Sequence, residues 1–230
     1  VVAVGGDGLV RDVAAGVYGT GAGMAIVPAG RGNDLARGLD LPTGAEDLAA
    51  MLVRGATRTV DVLDAAGHIV LGNVYVGVDS VATEAINRNR WLPGHLVYRL
   101  APLGVILRWS APEFTLTTDT GTTTARRHQV VVANSGRYGH GLHIVPSARL
   151  DSGTLEVLTV ADAPRHRIIR FLGQARTGTH VHSDAVTVRT ATGITLDADR
   201  AVPVHADGDY LCELPVTIRV RPAALDLVVP

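Results

Sequence analysis

The sequence predicts an α/β domain followed by an all-β domain, and three observations carry that reading. Residues 1 to about 60 alternate short apolar runs with helical patterns, as in a parallel sheet covered by helices. From about residue 62 the chain turns to short β-branched runs separated by Gly, Asp, Asn or Pro, the spacing of a sandwich or barrel. Two glycine-bearing turns, GGDG at 5–8 and GRGND at 30–34, follow successive strands. In a parallel sheet both would lie at the carboxyl ends of the strands, where ligands bind.

Taken in order, VVAV at Val1–Val4 reads as a buried strand, and Gly5, Gly6 and Gly8 allow backbone conformations closed to other residues. Val10, Val13, Ala14 and Val17 then recur at helical spacing. Met24 to Val27 is a second strand; Pro28, Gly30 and Gly32 make a turn; Asn33 or Asp34 caps a short helix over Leu35–Leu39 that stops before Pro42. Glu46 to Arg54 is a further helix, and TRTVDVLD begins a strand at Arg58. The β-rich remainder contains HIVLGNVYVGVDS, EFTLTTD, RHQVVVANS, TLEVLTV, AVTVRTATGITLD and PVTIRVRPAALDLVV, interrupted by helical insertions near Ser80–Trp109 and Arg165–Thr177. The composition changes near Asp61, so the expected division is 1–61 and 62–230, with the closing strand returning to the first domain. Two or three strands are few for a parallel sheet, and the chain opens in mid-strand. One or two further β–α units are expected to precede Val1.

Of the 230 residues 47% are apolar and only 4% aromatic, so Ala, Val, Leu and Gly build the core. A net charge of -1 supplies no field for nucleic acid or an anionic membrane. One cysteine, Cys212, rules out an internal disulfide and suits a reducing cytosol. No stretch reaches the roughly 18 apolar residues of a membrane span. The nearest, Leu96 to Trp109, is broken by Arg99, Pro102 and Arg108.

Strand, glycine turn, helix is an arrangement that presents backbone N–H groups to phosphate. No Gly-Lys-Ser/Thr follows either turn, so neither is a P-loop, and GTGAG at 19–23 follows a helix and lacks dinucleotide spacing. A carboxylate inside the first turn, Asp7, repels phosphate unless a cation lies between them or it orders a hydrogen-bond network. Asp34 and Asp61 also sit at a turn or strand end, and Asp207 in HADGDY reads locally as a type I′ hairpin turn. His180 and His182 alternate on a strand-like segment with no third ligand at metal spacing and read as a packed or solvated pair.

GGDG, then PAGRGNDLAR some twenty residues on, then VDV, resembles the diacylglycerol kinase catalytic-domain family, which includes sphingosine and ceramide kinases. NVYVGVDSVAT, VVVANSGRYGHGLHIVPSARLDSGTLEV and HADGDYLCELPVTIRVRPAALDLVVP match its later segments in order. The resemblance implies a nucleotide-binding α/β domain, akin to that of NAD kinase, joined to a β-sandwich. It implies phosphorylation of a lipid hydroxyl by ATP, with diacylglycerol the default substrate. Gly5, Gly6, Asp7 and Gly8 with Gly30, Arg31, Gly32, Asn33 and Asp34 would bind the nucleotide. Asp7, Asp34 and Asp61 would organise Mg²⁺, Asp207 would be the general base, and Asp209 would support it. Asp151 falls where the family carries a structural metal. Leu9 and Arg31 stand where the family has Thr, and Ser152 where it often has Asp. The family's N-P-x-S-G loop is absent from the sequence. A non-catalytic nucleotide- or lipid-binding relative is therefore the second function class. A cytoplasmic protein at the inner membrane face, contacting a membrane lipid substrate and no nucleic acid, and a homodimer are the remaining expectations. Trp91, Tyr98, Trp109 and Leu103–Leu107 form an apolar helical stripe, read either as core packing or as a lipid-access lid.

Overall fold

The structure, a computed structural model, describes residues 1–88, 94–139, 141–164 and 166–230, and side chains in the helix that begins at 94 from residue 101 onward. The chain opens with β1 (Val2–Gly5), α1 (Asp7–Val17), β2 (Ala25–Pro28), α2 (Asp34–Gly38) and α3 (Ala45–Arg54). β1 and β2 pair in parallel, Ala3 opposite Ile26. α1 buries Val10, Ala14 and Val17, the stripe that its spacing dictates. α3 ends at Gly55, whose φ of 65° is a left-handed cap open to glycine at little cost.

There follow β3 (Thr57–Ala65), β4 (His68–Val70), β5 (Asn73–Gly77), α4 (Val78–Arg88), α5 (Gly94–Arg108), β6 (Glu113–Thr118), β7 (Gly121–Ala133), β8 (Leu155–Ala161) and α6 (His166–Ala175). A 3₁₀ turn at Thr179–His182 precedes β9 (Val186–Ala191), β10 (Gly193–Ala198), β11 (Pro203–Ala206), β12 (Asp209–Glu213) and β13 (Val216–Val228). The expected single strand through HIVLGNVYVGVDS is two strands and a helix start, because the chain bends at Leu71–Gly72 and α4 begins at Val78. His180 and His182 lie in the 3₁₀ turn rather than on a strand; His180 is fully buried with Nε2 2.8 Å from Ile144 O. Trp91 and the Tyr98 side chain lie outside the described residues.

β3 to β13 form one 11-stranded sheet whose main path runs β12-β11-β5-β7-β6-β10-β13-β3-β4, with β8 and β9 added beside β7. The pairings within it are antiparallel. Strands from both ends of that path, Val204 of β11 and Ile218 of β13 among them, share one core, so the sheet folds over on itself as a sandwich. The period of two is legible in β7: Val130 and Val132 face that core, and Val131 and Ala133 face a second one beneath α6.

Two strands join this sandwich to the α/β part. β3 sends Val60 and Val62 to the core under α1 and Leu63 and Ala65 to the sandwich core. β13 does the same by means of a bulge between Arg221 and Leu225, where Ala223 has φ 48°. Before the bulge Val216, Ile218 and Val220 face the sandwich; after it Leu225 and Leu227 face the other core. Leu227 also bridges to Met24 in parallel, and the Val228 N–H donates to Met24 O at 2.8 Å. A division at residue 61 falls inside β3, which serves both cores.

Candidate active site

The two glycine turns are in direct contact. Gly6 and Gly30 touch backbone to backbone, and a Cβ on Gly6 would stand 3.1 Å from Gly30 Cα. No side chain fits at Gly30, because Gly6 occupies its Cβ position. Asn33, held in the left-handed region at φ 52°, closes the second turn: its Oδ1 accepts from the Gly30 N–H at 2.8 Å and its Nδ2 donates to Gly30 O at 3.0 Å. Arg37 Nε donates to Gly32 O at 2.9 Å.

Asp7 opens α1 and Asp34 opens α2, each in a first turn where the helix N-terminus favours negative charge. Asp7 Oδ1 accepts the Leu35 N–H at 3.2 Å, and Asp34 Oδ1 accepts the Gly141 N–H at 2.6 Å. Their other oxygens converge above Gly32, 3.0 and 3.6 Å from where its Cβ would stand. Any side chain at 32 would fill that space. Two carboxylate oxygens aimed at one point suit Mg²⁺, which keeps waters and phosphate oxygens among its ligands. Among the described residues no three His, Cys, Asp or Glu side chains group as a complete metal site, so the rest of such a shell would come from water and phosphate.

The acid turn of the sandwich faces this pair. Asp207 and Gly208 join β11 to β12 with φ 50° and 97°, the geometry of a two-residue type I′ hairpin. Asp209 Oδ2 would lie 2.8 Å from a Cβ on Gly8, so the late turn rests on the first glycine turn. Arg11, one helical turn beyond Asp7, ties the two together: its Nη2 is 3.3 Å from Asp209 Oδ2 and its Nη1 donates to Ala206 O at 3.1 Å. Asp207 accepts the Asn73 N–H at 2.9 Å and the Gly72 N–H at 3.3 Å, and lies where a side chain on Gly72 would stand. Burial pushes its carboxyl up to about 6; the two N–H donors and Arg11 oppose that, and the charge of Asp7 adds to it.

Between these turns is a cleft of about 350 Å³, lined by Asp7, Arg31, Gly32, Asp34, Asp79, Arg137 and Asp207 among others. Asp7, Asp34, Asp79 and Asp207 outnumber the two guanidiniums there. A phosphate chain in this cleft needs cations beyond Arg31 and Arg137.

The structure does not bring Asp61 to this place beside Asp7 and Asp34. Asp61 is 3% exposed, and its carboxylate is consumed by the Gly153 N–H at 2.6 Å and the Ala223 N–H at 2.8 Å, so it fastens the β13 bulge. Asp151 pairs with Arg58 at 2.6 Å and Arg149 at 3.5 Å, and the Arg58 bond holds its carboxyl below the usual range. Ser152 Oγ bonds Arg149 O and Thr154 O within its own turn. Leu9 folds back over Gly5, with Cδ2 2.5 Å from where a Cβ would stand. Sequence reasoning missed Arg11 and Asp79. The i, i+4 spacing of Asp7 and Arg11 on one helix face was the available signal for the first; nothing local marks the second.

An α/β domain whose glycine turns face an acid turn of a β-sandwich across a shared cleft has the two-domain architecture of a nucleotide-dependent kinase. Residues 1–65 match the family model described as "Diacylglycerol kinase catalytic domain", and residues 72–229 match "YegS C-terminal NAD kinase beta sandwich-like domain". The chain is 34% identical over 241 residues to the diacylglycerol kinase of Mycobacterium tuberculosis (strain CDC 1551 / Oshkosh), covering 100% of this chain and 76% of that protein. It is 21% identical over 221 residues to the diacylglycerol kinase of Bacillus subtilis (strain 168), covering 94% of this chain and 72% of the relative. A crystal structure of a diacylglycerol kinase from Bacillus anthracis str. Sterne superposes with a TM-score of 0.74 at 17% identity, over 100% of this chain and 75% of that one. The chain belongs to the diacylglycerol kinase catalytic-domain family and is a kinase-type enzyme.

Proposed function

We propose that the protein is an ATP-dependent lipid kinase that converts diacylglycerol to phosphatidic acid. The observation that carries this is the meeting of the Asp207–Asp209 turn with the glycine turns through Arg11 and Gly8. Phosphoryl transfer needs positioning and charge neutralisation more than covalent chemistry. The N–H groups of the turns at 5–8 and 30–34, with Arg31, hold the phosphates. Asp7 and Asp34 would hold Mg²⁺, which would supply charge neutralisation for the transferred group. Asp207 takes the proton of the lipid hydroxyl while the hydroxyl oxygen bonds the γ-phosphorus and the bond from that phosphorus to the β–γ bridging oxygen breaks, leaving ADP and the phosphorylated lipid. Asp209 and Arg11 keep the Asp207 turn in place. The lipid arrives from the cytoplasmic face of a bilayer, and no helix among the described residues is long and apolar enough to cross one.

A non-catalytic reading is favoured by Leu9, which covers Gly5 with apolar surface in place of a hydroxyl. One assay separates the two: full-length protein with radiolabelled ATP, Mg²⁺ and mixed lipids, beside Asp207→Asn. Loss of a general base is expected to lower kcat by about 10²–10⁴ with little change in the KM for ATP. Equal turnover by the variant removes Asp207 from the mechanism. No labelled lipid from the unaltered protein, with nucleotide binding retained, establishes the non-catalytic reading.

A further inference from the structure

A second, smaller hollow of about 60 Å³ adjoins the cleft, walled by α4, α5, α6 and β7. Asp79, Tyr138, Leu142 and Leu172 line both, so the two share a wall. The smaller one is apolar, with Val78, Ala82, Ile106, Ile168 and Phe171 in its walls. Leu172 of its wall is 40% exposed, and α5 and α6, which wall it, also carry Leu103, Leu107 and Ile169, which are 44%, 64% and 56% exposed.

Gln129 of β7 breaks this apolar lining. It is 4% exposed, and its Nε2 has no hydrogen-bond partner among the described residues. Its orientation is fixed, because Oε1 accepts the Asp79 N–H at 3.1 Å; the flipped amide would set N–H against N–H. Nε2 is therefore the donor. The neighbouring polar side chain, His128, is engaged at both ring nitrogens, by Trp109 Nε1 at 3.1 Å and by Ala163 O at 2.7 Å. A buried amide donor left without an acceptor is costly, and each such group calls for a reason.

Resting on the lipid-kinase reading, we propose that Gln129 is a specificity-determining residue: its Nε2 donates to the acyl carbonyl at the head of a lipid chain lying in the α4–α5–α6 hollow, so that the site selects acyl lipids over alkyl ethers. The carbonyl is the acceptor the amide lacks, and the chain behind it matches the apolar walls. The lipid hydroxyl then extends into the cleft toward Asp207.

The test compares dioctanoylglycerol with dioctylglycerol, its ether counterpart without carbonyls, in the full-length protein and in Gln129→Met. The unaltered protein is expected to favour the ester about tenfold in kcat/KM. Gln129→Met is expected to bring that ratio close to one, through a higher KM for the ester and no change for the ether. A ratio near one in the unaltered protein, or an undiminished ratio in the variant, overturns the assignment. If Gln129→Met does not fold, the ratio in the unaltered protein decides alone. Phosphorylation of neither lipid counts against the lipid-kinase reading itself, whereas equal phosphorylation of both counts only against Gln129.

Discussion

Asp79 has neither an ion-pair partner nor a side-chain hydrogen bond among the described residues, and burial alone lifts its carboxyl to about 6. A folded-state value above the usual 3.8 means that the folded protein holds this proton more tightly than the unfolded chain. The contribution of this group to stability is therefore fullest below about pH 4, is lost as the pH rises from 4 to 6, and is level above. Asp79→Asn is expected to match the parent near pH 4 and to exceed it by roughly 1–3 kcal/mol at pH 8. Denaturant unfolding at the two pH values checks this, and a difference that does not change with pH refutes it. Residues of this kind mark the limit of the sequence. Asp7, Asp34, Asp207 and Asp209 stand in recognisable motifs, and their turns meet in the folded chain. Asp61 also stood in a motif, yet its carboxylate is spent on the Gly153 and Ala223 N–H groups, which come from segments about 90 and 160 positions later. No local pattern encodes such a partner.

At the scale of elements, α5 and α6 present an unusual surface. Ile106 and Ile168 are buried against each other's helices, while Leu103, Leu107, Ile169 and Leu172 point outward, and Arg108, Arg167 and Arg170 are exposed among them. The apolar stripe is thus not wholly core: Ile106 and Trp109 are buried, while Leu103 and Leu107 are largely exposed. Apolar side chains ringed by arginine suit the headgroup region of a bilayer. Leu103→Ser with Leu107→Ser is expected to lower activity on anionic vesicles about tenfold and leave dioctanoylglycerol turnover within twofold. Equal losses on both substrates would sink the idea. Elements with strong periodicity were legible, α1 and β7 above all. The break at Leu71–Gly72 was not, because it is imposed by Asp207, which seats against Gly72 from a turn far along the chain.

Across the whole molecule, β3 and β13 each belong to two cores. Neither core can open without exposing a strand of the other, so unfolding is expected as one calorimetric transition, with van't Hoff and calorimetric enthalpies equal. Asp61→Ala leaves two part-buried N–H groups at this junction without their acceptor, which costs about 1–3 kcal/mol. Its melting temperature is expected to drop by roughly 5–10 °C with the transition still single. Two separated transitions would show that the halves are independent.

The pairing of Met24 with Leu227 also sets an order of events during synthesis. A ribosome that has made the two glycine turns has not yet made the strand that seals the hydrophobic layer beneath them. Until residues near 227 emerge, that layer stays open to water and to chaperones. Nascent chains halted before β13 are therefore the stage at which aggregation is most to be expected.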